Sequence, residues 1–529
     1  MTPAPAIHHD AAAPAVRARE AVPADDGTPL ATDVVGADPD DPRPVVLLRT
    51  PYGRSHHLAE GLGWARAGFT FVAQDVRGRY DSDGCWQPYR HERRDGAATV
   101  SWVAAQPWCD GRIAVLGGSY ASFTAWVAAL CGHPAVRAVL SLVPAVGEHQ
   151  CHGPGGSFHL ASHVRWWLAN AHSRTSRDDL FTQLYRTSPQ LLATLPVREL
   201  RHALWAELPT LLDAVDAGPD ATPPYAVTDA ELAGLDLPSL HVGGWYDGFL
   251  PRTLHQWHTV GAGTTRRPPR MLVVGPWTHD LATGRTPAIG LRRHEPQARM
   301  ALGGRMADWL TRALDGGCPG GAQVYVTGAE RWDTLAQWPP STTPLTWHCA
   351  GGARLLREPP GGPGTDGFRY DPRDPFPSRN APYDRADLDR RSDAVRYRTG
   401  VLDTGIEIAG TPTVRLLART DAPATDWVAR LAEIDTAGRA LHLTHGVQVD
   451  EGRAAGHVRE VSIALGPIAT VVPPGHRLRL EITSSDFPDH ARNLNTGLDR
   501  FGSARTRVAR QEVHHGPGGT SLRLPVVAR

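Results

Sequence analysis

The stretch Ile113-Ala114-Val115-Leu116-Gly117-Gly118-Ser119-Tyr120-Ala121-Ser122 passes from an apolar run through small residues into a segment with helical character. A short apolar run bounded by turn residues reads as a buried strand, and small residues after it let the chain reverse sharply into a helix. A serine on such a turn projects its hydroxyl above the sheet, and the N-terminus of the following helix favours negative charge there. This is the context of a nucleophile elbow, and it makes Ser119 a candidate nucleophile. Gly-x-Ser occurs in many ordinary turns, so the weight has to come from the rest of the chain.

Similar apolar runs lie at residues 45–48, 69–73 and 138–142, separated by helix-like stretches at 61–67, 95–105 and 121–130. That alternation predicts an α/β sheet wound with crossover helices. Two further strands are expected at 239–242 and 271–274. The first leads into Gly243-Gly244-Trp245-Tyr246-Asp247-Gly248-Phe249 and the second into Gly275-Pro276-Trp277-Thr278-His279. Alone, Asp247 reads as a turn-forming aspartate and His279 as a loop histidine. Together they stand just past the C-terminal ends of two late strands, the edge where open α/β sheets carry their sites. Their order after Ser119 (serine, acid, histidine) is the one a catalytic triad takes on this type of sheet.

Between the two strand groups, residues 161–171, 177–185, 189–193 and 197–215 look helical and are rich in leucine and tryptophan, which predicts an inserted helical cap. Beyond about residue 316, Pro- and Gly-rich spacers alternate with strand-like runs at 413–418, 427–433, 457–464 and 476–483, the pattern of a β-sandwich or jelly roll. The domain reading is therefore a disordered leader at 1–20, an α/β core at 21–146 and 236–316, a cap at 147–235 and a jelly-roll domain at 317–529.

Composition removes several classes of function. Of the 529 residues, 41% are hydrophobic and 21% charged, as in a globular protein, and no window has the apolar length of a membrane-spanning helix. The net charge is zero and no basic run occurs, so nucleic acid is not expected as a partner. All 55 Lys+Arg residues are arginine, which excludes Schiff-base chemistry, a phosphate-binding P-loop lysine and a Ser-Lys dyad. The six cysteines are scattered, without the close spacing of a zinc or redox motif, and are read as reduced thiols. His8-His9, His56-His57 and His514-His515 lack further ligands at metal-binding spacing, and Asp81-Ser82-Asp83-Gly84 with Glu92 has its glycine at the wrong position for a calcium loop. No metal and no cofactor are expected. The leader has no apolar signal-peptide core, so a cytoplasmic protein is expected, with homo-oligomer formation left open.

Several further words carry a resemblance: Arg49-Thr50-Pro51-Tyr52, Gln74-Asp75-Val76-Arg77-Gly78, Pro107-Trp108-Cys109-Asp110-Gly111, the Gly-Gly-Ser-Tyr elbow, the segments around Asp247 and His279, and Arg492-Asn493-Leu494-Asn495-Thr496-Gly497. In these the chain resembles the cocaine esterase-like (CocE/NonD) family of α/β-hydrolases, related to Xaa-Pro dipeptidyl-peptidases and α-amino-acid ester hydrolases. The resemblance implies an α/β-hydrolase core with an inserted helical cap and a C-terminal all-β jelly roll beside the active site. It also implies that the Tyr52 hydroxyl and the backbone N–H of Tyr120 form the oxyanion hole; packing at a strand end is the alternative for Tyr52. Ser122 stands where the family elbow usually has glycine. Trp166, Trp167, Trp245 and Phe249 are the candidates for lining the substrate pocket, with membership of the cap core as the alternative for the first two. The activity so implied is that of a serine hydrolase cleaving an ester, less readily an amide, of a small molecule through an acyl-serine. Two other readings stay open: an acyltransferase or tailoring enzyme using the same acyl-serine, and a non-catalytic ligand-binding protein.

Overall fold

The computed structural model describes residues 17–145, 147, 151–170, 173–203, 222–281, 288–451 and 455–528. Its core is a ten-stranded sheet. The strands are β1 (Arg17–Pro23), β2 (Pro29–Val35), β3 (Arg43–Thr50), β4 (Thr70–Asp75), β5 (Cys109–Gly118), β6 (Val136–Leu142), β7 (Ser239–Tyr246), β8 (Arg270–Thr278), β9 (Gly321–Val326) and β10 (Arg331–Leu335). They lie in the order β1-β2-β4-β3-β5-β6-β7-β8-β9-β10. From β4 through β9 neighbouring strands are parallel; two antiparallel pairs, β1–β2 and β2–β4, close one margin and a single antiparallel pair, β9–β10, closes the other.

Alternate residues along these strands explain why the sheet is covered twice. Val45, Leu47, Val72, Val115 and Val139 face one layer, formed by Val100 and Val103 of α2 (Glu92–Ala104) and Phe123, Trp126 and Val127 of α3 (Tyr120–Ala129). Their neighbours Val46, Leu48, Phe71, Ala73, Leu116 and Leu140 face the other, which holds Trp64 of α1 (Leu58–Arg66). Because side chains on a strand alternate between faces, continuous apolar runs are what a doubly covered parallel sheet requires.

Three boundaries differ from those expected. Residues 17–20 lie in β1 rather than in a leader, because Arg17 to Pro23 pairs along its whole length with Val35 to Pro29; the rest of the expected leader, 1–16, lies outside the described residues. Residues 321–335, expected in the jelly roll, instead extend the core sheet, β9 pairing in parallel with β8 through Gly321↔Met271 to Val324↔Val274. Here Val324 and Val326 complete a cluster with Leu272 and Val274 that would otherwise be exposed at the β8 edge. At the end of the expected cap, Val227 and Leu232 pack into the α2–α3 layer of the core. Leu232 belongs to a short helix, Asp229–Gly234, opened by a capping box of Thr228 and Glu231.

The insertion contains α4 (Leu160–Asn170), the helix Leu180–Thr187 and short turns at Leu191–Ala193, Val197–Glu199 and Leu200–Ala203. The rest of the helix expected at 197–215, from 204 onward, lies outside the described residues. Trp167, Leu168, Leu191, Leu192 and Leu200 form an apolar cluster that Ala491, Phe487 and Phe501 of the C-terminal region help to close. The C-terminal region is all β, its strands enclosing an apolar core that includes Tyr370, Trp427, Leu480 and Leu524. Strand Ala440–Glu451 of this domain reaches the insertion, where the Val449 amide donates to the Gly155 carbonyl at 2.8 Å. A Cβ on Gly155 would lie 1.9 Å from the Val447 carbonyl oxygen, so the two chains approach only because this residue is glycine. Among the described residues no helix is long and apolar enough to cross a membrane.

Candidate active site

Strands β5 to β8 are parallel, so their C-terminal ends share one edge, and the three candidate catalytic residues meet there. Ser119 follows β5 directly and takes φ 55°, ψ −122°. Such a conformation is strained for a residue with a side chain and persists only when its surroundings enforce it. The enforcing contacts are the Ser119 amide on the Leu142 carbonyl at 3.0 Å and the Ser119 carbonyl, which accepts from Ser122 at 3.0 Å and Ala145 at 3.1 Å. Gly117 makes room for the turn, since a Cβ there would sit 1.9 Å from the Ala121 carbonyl oxygen.

His279 leaves the end of β8 with its Nε2 3.0 Å from Ser119 Oγ and its Nδ1 2.9 Å from Asp247 Oδ1. Asp247 leaves β7, and its Oδ1 also accepts from the Phe249 amide at 3.1 Å, which fixes the carboxylate. The Asp247 side chain is almost fully buried, whereas that of His279 is 46% exposed. The aspartate is thus withdrawn from water while the imidazole edge next to the serine stays accessible. Phe249 packs edge-on against the His279 ring, with centroids 5.0 Å apart.

Tyr52 stands on the other side of the nucleophile. Its hydroxyl oxygen accepts a hydrogen bond from Trp166 Nε1 at 3.1 Å, leaving the O–H free to donate. Burial pushes the Tyr52 hydroxyl above its ordinary pKa of 10.0, while Trp166, the Ser119 side chain and the Tyr120 amide pull the other way. The phenol therefore stays protonated, next to the serine and the first amide of α3. That amide is one of the helix N–H groups without an intrahelical acceptor. The phenol of Tyr120 itself points away: it is buried, donates to Glu92 Oε1 at 2.8 Å and accepts from the Tyr89 amide at 2.7 Å. Tyr120 thus offers the site its backbone and uses its side chain as an anchor.

Of the pocket candidates, Trp166 contacts Tyr52 and Phe249 contacts His279, and the other two lie elsewhere. Trp167 is buried in the insertion's core with Val164, Leu168 and Leu192, which takes the alternative reading of that residue. Trp245 donates to the Tyr325 carbonyl at 2.6 Å and packs on Trp338 at 5.3 Å, under the β8–β9 margin. The strand alternation decides this: β7 runs on through Tyr246, and Trp245 falls on its inner face.

Several supporting residues escaped the sequence reading. Glu92 pairs with Arg49, Nη1 to Oε2 at 3.0 Å, in a fully buried contact. Arg49 and Tyr52 belong to one segment and Glu92 holds Tyr120, so one network ties both sides of the expected oxyanion hole. Arg79 is fully buried and donates to the Pro51 carbonyl at 2.8 Å, the Asn170 carbonyl at 3.0 Å and Asn170 Oδ1 at 2.9 Å. It clamps the Tyr52 segment to the end of α4, the helix that carries Trp166. Nothing in the spacing of Arg79 or Glu92 announces these partners, which lie up to 91 residues away. Ser122 is buried, and its hydroxyl bonds Ser141 Oγ at 2.7 Å in a cluster with Trp126 and Gln256. The departure from the family elbow thus comes with its own partners.

The likeness to known proteins covers the whole of this architecture. The sequence profile of the X-Pro dipeptidyl-peptidase (S15) family matches residues 26–280, and that of the X-Pro dipeptidyl-peptidase C-terminal non-catalytic domain matches 317–522. Cocaine esterase of Rhodococcus sp. (strain MB1 Bresler) is 30% identical over 565 aligned positions, spanning 96% of this chain and 98% of the relative. Among solved structures, an α-amino acid ester hydrolase aligns over 100% of both chains with a TM-score of 0.85 at 22% identity. An aminopeptidase from marine sediment archaeon Thaumarchaeota archaeon aligns over 97% of this chain and 96% of its own with a TM-score of 0.84, also at 22% identity. The two structural matches speak to the fold; the Rhodococcus relative, alike from end to end, speaks to descent. The chain belongs to the cocaine esterase-like family of α/β-hydrolases.

Proposed function

We propose that this protein is a serine esterase that cleaves a small-molecule ester through an acyl-serine on Ser119. The observation that carries the proposal is the pair of contacts made by one imidazole, Nε2 to Ser119 Oγ at 3.0 Å and Nδ1 to Asp247 Oδ1 at 2.9 Å. In this reading His279 takes the serine proton as Oγ attacks the carbonyl, then returns it to the leaving alcohol. Asp247 holds the tautomer and stabilises the transient imidazolium. Tyr52 O–H and Tyr120 N–H donate to the tetrahedral oxyanion, each worth a factor of about 10² to 10³ in turnover. Water then attacks the acyl-serine by the same route in reverse.

The ester bond is supported by the full-length likeness to a cocaine esterase. A neutral acyl group is supported by the sequence neighbours of Asp247: Tyr246 and Gly248 flank it, so this segment supplies no second carboxylate to hold a substrate ammonium. Trp166 and Phe249 offer apolar rings next to Tyr52 and His279. The test is Ser119→Ala, assayed on p-nitrophenyl esters of graded acyl size and with a fluorophosphonate probe. Labelling should vanish and turnover should fall by several orders of magnitude, with the melting temperature unchanged. Labelling of the variant, or activity near wild type, would overturn the assignment. Product analysis with added alcohols or amines separates hydrolysis from acyl transfer.

A further inference from the structure

His445, Asp486 and His490 come from two distant segments of the all-β domain, and their ligand atoms lie within 4.8 Å of one another. His445 Nε2 is 3.4 Å and His490 Nε2 3.7 Å from the same oxygen, Asp486 Oδ2. For a tetrahedral zinc ion with bonds of about 2.0 to 2.2 Å, neighbouring ligand atoms stand roughly 3.3 to 3.6 Å apart. From the match between these separations and that geometry, we propose that His445, Asp486 and His490 form a binding site for a divalent transition-metal ion of the zinc type.

The surroundings suit a cation of that class. Two imidazoles and one carboxylate are borderline ligands that favour zinc, cobalt or nickel over calcium or magnesium. The Arg430 guanidinium binds the other carboxylate oxygen, Asp486 Oδ1, and so orients the carboxylate with Oδ2 toward the two imidazoles. Asn380 Nδ2 donates to Asp486 Oδ2 at 2.7 Å and to Asp489 Oδ2 at 2.8 Å, an outer contact of the kind that fixes a ligating carboxylate. Asp489, held by the same Asn380, supplies a second acid beside the three ligands. Arg430 binds Asp486 directly, and Arg385 and Arg500 are further cations that act on the two histidines. His445 is half-buried, so its ring is partly open to solvent.

The site would also be a staple. His490 lies in the segment whose Ala491 amide donates to the Phe158 carbonyl at 2.8 Å, and its ring packs 4.5 Å from that of His159, at the start of the insertion's α4. An ion joining His490 to strand Ala440–Glu451 would tie that segment to the strand on which the insertion rests.

The test uses the full chain, stripped with a chelator and passed through a desalting column. Titration with zinc, followed by calorimetry, should show about one tight equivalent, and cobalt(II) should give the d–d absorption of a low-coordinate nitrogen and oxygen site. His445→Gln and His490→Gln should each weaken zinc binding by about 10-fold or more, while His514→Gln should not. Zinc should raise the melting temperature of the wild type and not that of the double variant. Absence of binding in the wild type, or unchanged affinity in both variants, overturns the proposal. Anomalous scattering at the zinc edge from soaked wild-type crystals needs no substitution, and an ion found elsewhere overturns it equally.

Discussion

Tyr52 is the residue at which the reading of the site is most exposed to test, because it separates the oxyanion hole from the triad. Its hydroxyl accepts from Trp166 and stays protonated, so what it has to offer the site is a proton donor. Tyr52→Phe removes that donor and keeps the ring. If the bond forms fully only in the transition state, kcat on an activated ester should fall roughly 10² to 10³-fold with KM little changed. A residue serving only to pack would show turnover within about threefold of wild type, since the loss of one good donor is far larger. The steady-state constants of the variant, set beside its thermal melt, distinguish the two.

At the scale of the element, the elbow and α3 depend on a buried polar cluster rather than on small residues alone. Ser122, Ser141, Trp126 and Gln256 join α3 to β6 and to the helix Leu250–Thr259 through hydrogen bonds of 2.7 to 3.1 Å. Ser122→Ala leaves Ser141 with its other two partners and costs one neutral hydrogen bond, about 0.5 to 1.5 kcal/mol. Denaturant melts should show a loss of that size with turnover within about threefold. A loss of turnover beyond tenfold at unchanged stability would mean that the Ser122 hydroxyl acts on the nucleophile itself.

At the scale of the whole molecule, the hydrolase sheet and the all-β domain share a core. Leu272, Val274, Val324 and Trp338 pack with Ala409 and Ala469 of the C-terminal strands. Near this contact Glu433 is buried between Arg292 and His476, its Oε1 2.6 Å from His476 Nδ1. Glu433→Ala leaves the half-buried Arg292 and His476 without their carboxylate and should destabilise by about 1 to 3 kcal/mol. Because the core is continuous, calorimetry should record one unfolding transition that moves down as a unit. Two separated transitions, with only the later part of the chain affected, would show that the halves unfold independently.

How much of this was legible beforehand depends on how local each cause is. The central strands, the three core helices and the meeting of Ser119, Asp247 and His279 could be read because an apolar run, a helical pattern or a turn after a strand is written in adjacent residues, and parallel strands then bring their C-terminal ends to one edge. Ser119, Asp247 and His279 needed only that rule of topology. The places of Trp167 and Trp245 were decided by which face of their elements turned inward, and β9 joined the sheet because the β8 edge offered it an apolar partner, neither of which a run of sequence expresses. The same holds for Glu92 against Arg49 and Tyr120, for Arg79 between the Tyr52 segment and α4, and for His445 beside Asp486 and His490. Buried charged and polar side chains must find partners wherever the folded chain brings them. The sequence by itself determined the central parallel strands and the three residues at their shared edge; the tertiary structure alone decided the margins of the sheet and what holds those residues in place.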